Sequence, residues 1–335
     1  MYVILPAKEN YTPPFFLPYS QGALYKELQV SHGRTVDSFQ IQREGGSFGY
    51  FQIVTYPLFG NLRVQYIPYG PVMISEDPEI HQILRVFLKK YAAEKNAVFT
   101  RLDFFPKTKY QDLYSNVPAH LYNTPYHQPR GEWLMDITPD AEELLAAMHK
   151  KTRYNINKSI RNELETVFKH GSEIEAWVGT FISLNEQNTK DHDTTTHDPE
   201  YFKSLFAIAS GDERNFIAIT RKDGHVLAIN IFIDLGAEMF CPFGASNDLG
   251  KKLGAYYHIK WHAILHMKER GVDKFNWGGV SVSDTDTYLA GVTKFKTGFG
   301  GAERIHPPLL DIVHKKWWYR LYSFRKRIQS LKKNT

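Results

Sequence analysis

The densest run of glycine, aromatic and reactive residues lies near the end of the chain, where 278–301 reads GGVSVSDTDTYLAGVTKFKTGFGG. Trp277-Gly278-Gly279 ends a strand, and the Ser/Asp/Thr run after it is a polar loop. The segment Phe295-Lys296-Thr297-Gly298-Phe299-Gly300-Gly301 then lets backbone and one ammonium group approach a ligand. Lys296, between two aromatic anchors at the open edge of a sheet, could stabilise an oxyanion or bind a phosphate if desolvated. In solvent it is an ordinary turn lysine. The Gly250–Ala255 turn (GKKLGA) entering a helix could cradle a pyrophosphate through backbone N–H groups, or serve as a plain strand-to-helix connection.

Other clusters promise less. His258, His262 and His266 recur every four residues on one helix face, but no neighbouring carboxylate or cysteine completes a metal set. Asp191-His192-Asp193 with His197-Asp198 reads first as a polar loop. Cys241, before Pro242, reads as a small buried residue. Two basic runs could meet polyanions. One is Lys150, Lys151, Arg153, Lys158 and Arg161, a phosphate-contacting patch or a solvated helix face. The other is His314–Lys333, where Trp317, Leu321, Phe324 and Ile328 recur at helical spacing among basic residues. It suits an anionic membrane interface, or its aromatics pack on a domain core.

These residues need elements to hold them. Asp77-Pro78-Glu79 starts an amphipathic helix over about 77–95, and Thr138-Pro139-Asp140 opens another. The stretch 213–241 reads as a β-meander, and Lys251–Arg270 as a helix stopped by Gly271. YIPYGPVM (66–73) and FCPFGASN (240–247) are each followed by a long helix and a short strand, VFTRLDFFP (98–106) and KFNWGGVS (274–281). Pro68 and Pro242 are 174 residues apart, and Phe99 and Phe275 are 176 apart. The near-equal offsets predict duplication of one α/β unit.

The 335 residues, 42% hydrophobic and 23% charged, fit about two globular domains. The boundaries expected are 1–145, 146–311 and a C-terminal helix at 312–335. The longest apolar run, VLAINIFI, is too short for a membrane span, and the N-terminus has no signal-peptide pattern. One cysteine fits a reducing, cytoplasmic compartment. The formal charge is +5, but 312–335 holds eight basic residues and no acid, leaving 1–311 at −3. Any basic partner site is therefore local.

The second half has the order of a GNAT-like N-acyltransferase: helix, antiparallel strands, a glycine-containing turn, helix, strand. The 276–301 stretch resembles the C-terminal signature of the FemABX peptidyltransferases through Asn276, Gly278, Gly279, Val280, Gly291, Val292, Phe295, Lys296, Gly298, Phe299, Gly300 and Gly301. The likeness continues upstream, to the KTRYNINK segment (151–158), Arg101-Leu102-Asp103, Tyr69-Gly70-Pro71-Val72 and FLPYSQGALYK (16–26). It implies an α/β (α+β) fold of two tandem GNAT-like domains, each with a mixed central sheet. The implied activity moves an amino acid from aminoacyl-tRNA onto the stem-peptide amino group of a peptidoglycan precursor. Such ester aminolysis needs a held amine, a cation at the developing oxyanion and a site for the leaving hydroxyl. It calls for no cofactor beyond the aminoacyl-tRNA co-substrate.

Carried over by residue, Lys296 stabilises the oxyanion or tRNA end with Phe295 beside it, and Asp103 binds or orients the acceptor amine. Lys26, Tyr25, Gln21, Arg101, Tyr69 and His197 hold the precursor, and Lys150, Lys151, Arg153 and Lys158 contact tRNA. Thr196-His197-Asp198-Pro199 departs from a Thr-His-Arg-Pro segment in compact members, and an aspartate would repel a diphosphate. The resemblance leaves lipid-linked and UDP-linked muramyl pentapeptide both open as acceptor. No heptad pair between Lys151 and Glu213 is long enough for a coiled-coil arm, so the compact type is expected, possible peripheral membrane contact coming through 312–335. Two rival readings are an acyl-CoA-dependent N-acyltransferase and a non-catalytic RNA- or membrane-surface binder.

Overall fold

Two helices begin with the same chemistry. Asp77 accepts from Ile80 N–H ahead of Pro78 to open α2 (Pro78–Glu94), and Asp198 accepts from Tyr201 N–H ahead of Pro199 to open α6 (Pro199–Ala209). Each aspartate satisfies an orphan donor and each proline occupies a first-turn position where no N–H is needed. Asp198 is thus a helix cap. The cap gives an aspartate at this position a structural reason and does not bear on which acceptor form is used.

The computed structural model describes residues 1–105, 127–192, 197–282 and 289–331. They divide into two units, Met1–Arg130 with Ile305–Thr335, and Gly131–Arg304. The first holds β1 (Tyr2–Pro6), α1 (Ala23–Ser31), β2 (Thr35–Arg43), β3 (Gly46–Pro57), β4 (Arg63–Ile67), β5 (Val72–Met73), α2, β6 (Ala97–Leu102), β14 (Leu310–Val313) and α10 (Lys316–Leu331). Its sheet runs β1-β2-β3-β4-β6-β14, with β5 beside β3.

The second unit holds β7 (Gly131–Asp136), α3 (Ala141–Ala147), α4 (Lys150–Arg161), β8 (Glu165–His170), α5 (Val178–His192), α6, β9 (Phe216–Lys222), β10 (His225–Asp234) and β11 (Met239–Ser246). It continues through α7 (Asp248–Leu253), α8 (Ala255–Glu269), β12 (Lys274–Val280), α9 (Ala290–Thr297) and β13 (Ala302–Ile305). Its sheet runs β8-β9-β10-β11-β12-β7-β13.

The two sheets have the same plan. Three antiparallel pairings lead to a single parallel pair, β4 with β6 and β11 with β12, and an antiparallel strand closes the far side. The duplication expected from the 174–176-residue offsets has its topological counterpart here. The closing strands are exchanged along the chain. β7 follows the first unit's last central strand yet pairs with β12, while β14 follows the second unit yet pairs with β6. This exchange moves the boundary from the expected 145/146 to 130/131. It also returns the C-terminal segment, expected as a separate piece, to the first unit.

The core of the second unit gathers Ile137, Phe216, Phe232, Met239, Ile259, Ile264, Phe275, Trp277 and Phe299. That of the first packs α2 residues Ile80, Leu84 and Leu88 onto Phe39, Phe51, Ile53 and Leu102 of the sheet. The expected 251–270 helix is broken at Gly254, whose left-handed φ of 84° separates α7 from α8.

Candidate functional site

In the second unit the parallel strands pair over only two positions, Met239 with Phe275 and Phe240 with Asn276. Beyond them β11 stays with β10 as far as Ser246, and β12 stays with β7 as far as Val280. The strands therefore part, and a forked sheet exposes backbone groups that would otherwise be paired. Lys296, on α9 and not in a turn, donates from Nζ to the Gly279 carbonyl of β12 at 2.6 Å, beyond the point of divergence. Burial lowers its pKa to about 8, the Lys260 ammonium adds to that, and Cys241 and Glu132 oppose it. The half-buried Lys296 ammonium thus lies beside β12 where the strands part.

Phe295 does not face the fork as a reactive partner. Its ring packs edge-on against Tyr257 and Phe299 and lies near Tyr256 and Trp277, fixing the helix that carries Lys296. The glycines after it permit close approach. A Cβ on Gly298 would lie 2.5 Å from Thr152 Oγ1 of α4, and one on Gly301 would lie 2.3 Å from the Leu134 carbonyl, at a φ of 107°. The Gly298 carbonyl accepts from His149 N–H at 2.9 Å. The basic helix α4 is thereby seated directly on the signature turn.

Three buried groups here had no sequence signal. Lys260 of α8 is 7% exposed and donates to Cys241 Sγ at 2.9 Å. Its ammonium lies 5.1–5.4 Å from the ring centres of Phe232, Phe275 and Trp277. With the Asn230 amide turned to satisfy its neighbours, its oxygen also accepts from Lys260 Nζ at 2.7 Å. Glu132 and Glu238 are both buried, share Arg304 and both accept from Asn276 Nδ2 at 3.0 Å. Asn276, a member of the signature, thus ties β12 to a network with two carboxylates and one guanidinium.

Arg153 and Lys158, expected at tRNA, are turned to the protein. Arg153 donates to the Ala146 and Met148 carbonyls at the end of α3, and Lys158 to the Lys252 carbonyl at 3.3 Å. Lys150 and Lys151 remain exposed on α4, with Tyr154 and Arg161. The possible pyrophosphate turn is spent: Gly250 N–H donates to Asn247 Oδ1, Lys251 N–H to the Asn247 carbonyl, and Gly254 N–H back into α7. The Leu253 carbonyl accepts from Asn162 of α4 at 3.0 Å. These bonds use the N–H groups of Gly250, Lys251 and Gly254, which favours the plain connection.

In the first unit, Asp103 follows β6 and is 2% exposed. Its Oδ2 accepts from Tyr66 Oη at 3.0 Å and from Gln128 N–H at 3.1 Å. Burial and this carboxylate hold Tyr66 well above its usual pKa, so Tyr66 remains a donor. Tyr25 packs with Tyr66, Val54 and Tyr56, and Lys26, next on α1, is half-buried. Gln21 accepts from Gln52 N–H and donates to the Pro68 carbonyl, bracing the turn that leads to Tyr69. Tyr69 donates to the Pro129 carbonyl and stacks on His306 at 4.2 Å. Gln21 and Tyr69 hold the scaffold at the strand ends. Arg101 is fully buried in a two-bond pair with Asp311, both bonds 2.8 Å, which gives it a structural task in place of the expected substrate contact.

Residues 210–324 match the FemAB family. The resemblance to the FemABX family is borne out. The chain is similar in structure to FemX, with a TM-score of 0.77 and 16% identity over 92% of this chain and 95% of that one. It is also similar to L-PGS from Bacillus licheniformis (TM-score 0.57, 12% identity, 92% and 93% covered). A tandem GNAT protein from the clavulanic acid biosynthesis pathway matches with a TM-score of 0.54 and 8% identity, covering 93% and 99%. No curated sequence matches. The tandem GNAT-like fold expected from the sequence is the observed one.

Within the FemAB-matching segment lie β11, α8, β12, α9 and the first part of α10, hence the fork, Lys260, Phe295 and Lys296. Among the described residues no group of three or more His, Cys, Asp or Glu could hold a metal ion. His258 instead meets Ser159 Oγ at 3.2 Å, and His266 stacks on Phe168 at 3.9 Å. Burial lowers the pKa of each to about 4, as expected of neutral core imidazoles. His197 stacks on Tyr201 at 3.7 Å, just ahead of the α6 cap. Asp193, Thr196 and most of the polar loop before α9 lie outside the described residues. Among those described, no helix is long and apolar enough to cross a membrane.

Proposed function

We propose that this chain is an aminoacyltransferase that moves an amino acid from aminoacyl-tRNA to the stem-peptide amino group of a peptidoglycan precursor. The observation that carries the reading is the desolvated Lys296 ammonium at the fork between β11 and β12, inside the FemAB-matching segment. In the reaction the acceptor nitrogen attacks the ester carbonyl, a C–N bond forms, and the C–O bond to the ribose oxygen breaks. The amine loses a proton and the leaving oxygen gains one, so the step balances without an oxidant or reductant. Lys296 meets the negative charge that builds on the carbonyl oxygen, where a fixed donor in a dry site is most effective. Within the first unit, Asp103, held by Tyr66 and the Gln128 backbone, is proposed to bind the acceptor substrate. Lys150, Lys151 and Arg161 on the exposed face of α4 suit acceptor-stem phosphates, giving salt-sensitive binding.

Single-turnover transfer of labelled amino acid from a mixed charged-tRNA pool tests the reaction, with lipid-linked and UDP-linked muramyl pentapeptides offered in parallel. Labelled product from either acceptor is expected, and the preferred one identifies the substrate form. Acyl-CoA binding with no transfer to either acceptor would overturn the proposal.

The pH dependence follows from the Lys296 environment. Lys296 works here as a cation, so turnover should fall as pH rises through about 8. Lys260→Met removes a neighbouring positive charge and so raises the Lys296 pKa. The alkaline limb should move up in pH yet stay below that of an ordinary lysine, because the larger cause, burial, stays in place. An unmoved limb in Lys260→Met would show that the two ammonium groups do not interact.

A further inference from the structure

The C-terminal helix α10 has two faces with different tasks. Tyr319 and Tyr322 turn inward and pack on Phe99, with ring centres 5.2 and 5.0 Å away, and Tyr319 Oη donates to Asp311 at 2.8 Å. That face fixes the helix to the first unit. At ~100° per residue, Trp317, Leu321, Phe324 and Ile328 fall within roughly 60° of arc on another face. All four are exposed, Trp317 at 80% and Phe324 at 64%. The sequence stripe and the exposed stripe are the same residues, while the inward contacts are made by tyrosines off that stripe.

Cations border the apolar row. Lys316, Arg320 and Arg325 are exposed; Arg320 lies over the Trp317 ring at 5.5 Å and Arg325 over Phe59 at 5.3 Å. By helical geometry Lys316 and Arg320 flank one side of the row and Arg325 the other. No acidic residue occurs from Ile312 onward. An apolar row between two margins of cations is the surface of a helix lying in a lipid headgroup layer, aromatic side down and basic stems reaching up to phosphates.

We propose that α10 seats this chain on an anionic lipid surface. RNA would pair with the cations but leave Leu321 and Ile328 unsatisfied, and a second copy would bring the same positive charge against itself. Anionic lipid answers both features at once. The inference goes beyond the transferase reading and does not depend on it.

The test uses the full chain and vesicles free of any peptidoglycan precursor, so that a failed transfer assay leaves its outcome untouched. Co-sedimentation should show binding to vesicles of about one-third phosphatidylglycerol, weakened by salt, and little binding to pure phosphatidylcholine. Trp317→Ser/Leu321→Ser/Phe324→Ser should abolish binding while the unfolding midpoint stays put, since none of the three is buried. Lys316→Gln/Arg320→Gln/Arg325→Gln should weaken it by about 100-fold on anionic vesicles. Equal vesicle binding by wild type and both variants would overturn the proposal. So would undiminished vesicle binding with loss of tRNA affinity or of self-association, which would assign the face to RNA or to a second copy.

Discussion

Lys296→Met should cost about 10²–10³-fold in turnover and at the same time make the protein more stable. The first number is the ordinary cost of removing one preorganised donor from a developing oxyanion. The second follows from linkage. The lysine pKa falls from 10.5 to about 8 in the folded chain, so between those values the unfolded chain binds more protons and stability rises with pH. Below pH 8 the full penalty applies. The fall from 10.5 to about 8 corresponds to about 3.4 kcal/mol, of which partial solvent contact and the lost bond to the Gly279 carbonyl leave about half as net gain on substitution. Urea unfolding at pH 7 should therefore show the variant ahead by about 1–2 kcal/mol. The advantage should shrink as pH rises from about 8, where the folded-state lysine loses its proton, and the charge penalty should be gone only above 10.5, where the lysine is neutral in both states. A variant that keeps more than a tenth of wild-type turnover would remove Lys296 from the reaction. A destabilised one would show that its ammonium is satisfied by the fold and stores no strain.

The pairing of lost activity with gained stability separates a reactive lysine from a structural one. The residues alone left Lys296 open between an anion contact and an ordinary turn lysine, and the likeness of 276–301 to the FemABX signature is what singled it out. Lys260 was not legible. It sits on α8, which is buried on most sides, so the helix has no clear polar face to point it out, and only the strands β10 and β12 bring three aromatic rings around its ammonium. Glu132, Glu238 and Arg304 come from three distant segments and are joined only by pairing of β7 with β12 and by the fold of the sheet.

The duplicated β–α–β pieces were visible because both copies keep a proline, an aromatic and a helix of similar length. The exchange of closing strands was invisible for the opposite reason. A short strand pairs by backbone atoms common to every residue, so Gly131–Asp136 and Leu310–Val313 carry little that says which sheet they join. The partner of a strand-end side chain was hidden in the same way: Arg101 and Asp103 lie two residues apart on one strand exit, yet Arg101 pairs with Asp311, 210 residues away, while Asp103 accepts from Tyr66. His197-Asp198-Pro199 was read for charge when its physical content was a helix start, already present in the chain at Asp77-Pro78.

Asp311→Ala should be the most destabilising single change in the first unit, at about 3–5 kcal/mol. Asp311 and Arg101 are directly opposite across β14 and β6, both fully buried, with Tyr319 Oη as a third partner. Removing the carboxylate takes from the guanidinium the two-bond partner that holds its pKa above its usual value, and breaking a buried pair from one side is the costly case. Replacing both members by apolar residues, Arg101→Met/Asp311→Leu, should recover most of the loss, since the pair repays its own desolvation only in part. The same bond fastens β14, so Asp311→Ala should also open the segment from Ile305 onward to protease before the rest of the chain unfolds, α10 included. A loss under about 1 kcal/mol would mean that water reaches the pair. The double variant also decides what Arg101 does: if it folds and still transfers at the wild-type rate, the guanidinium serves the sheet alone, and if it folds but fails to bind acceptor, the substrate contact read from the sequence is restored.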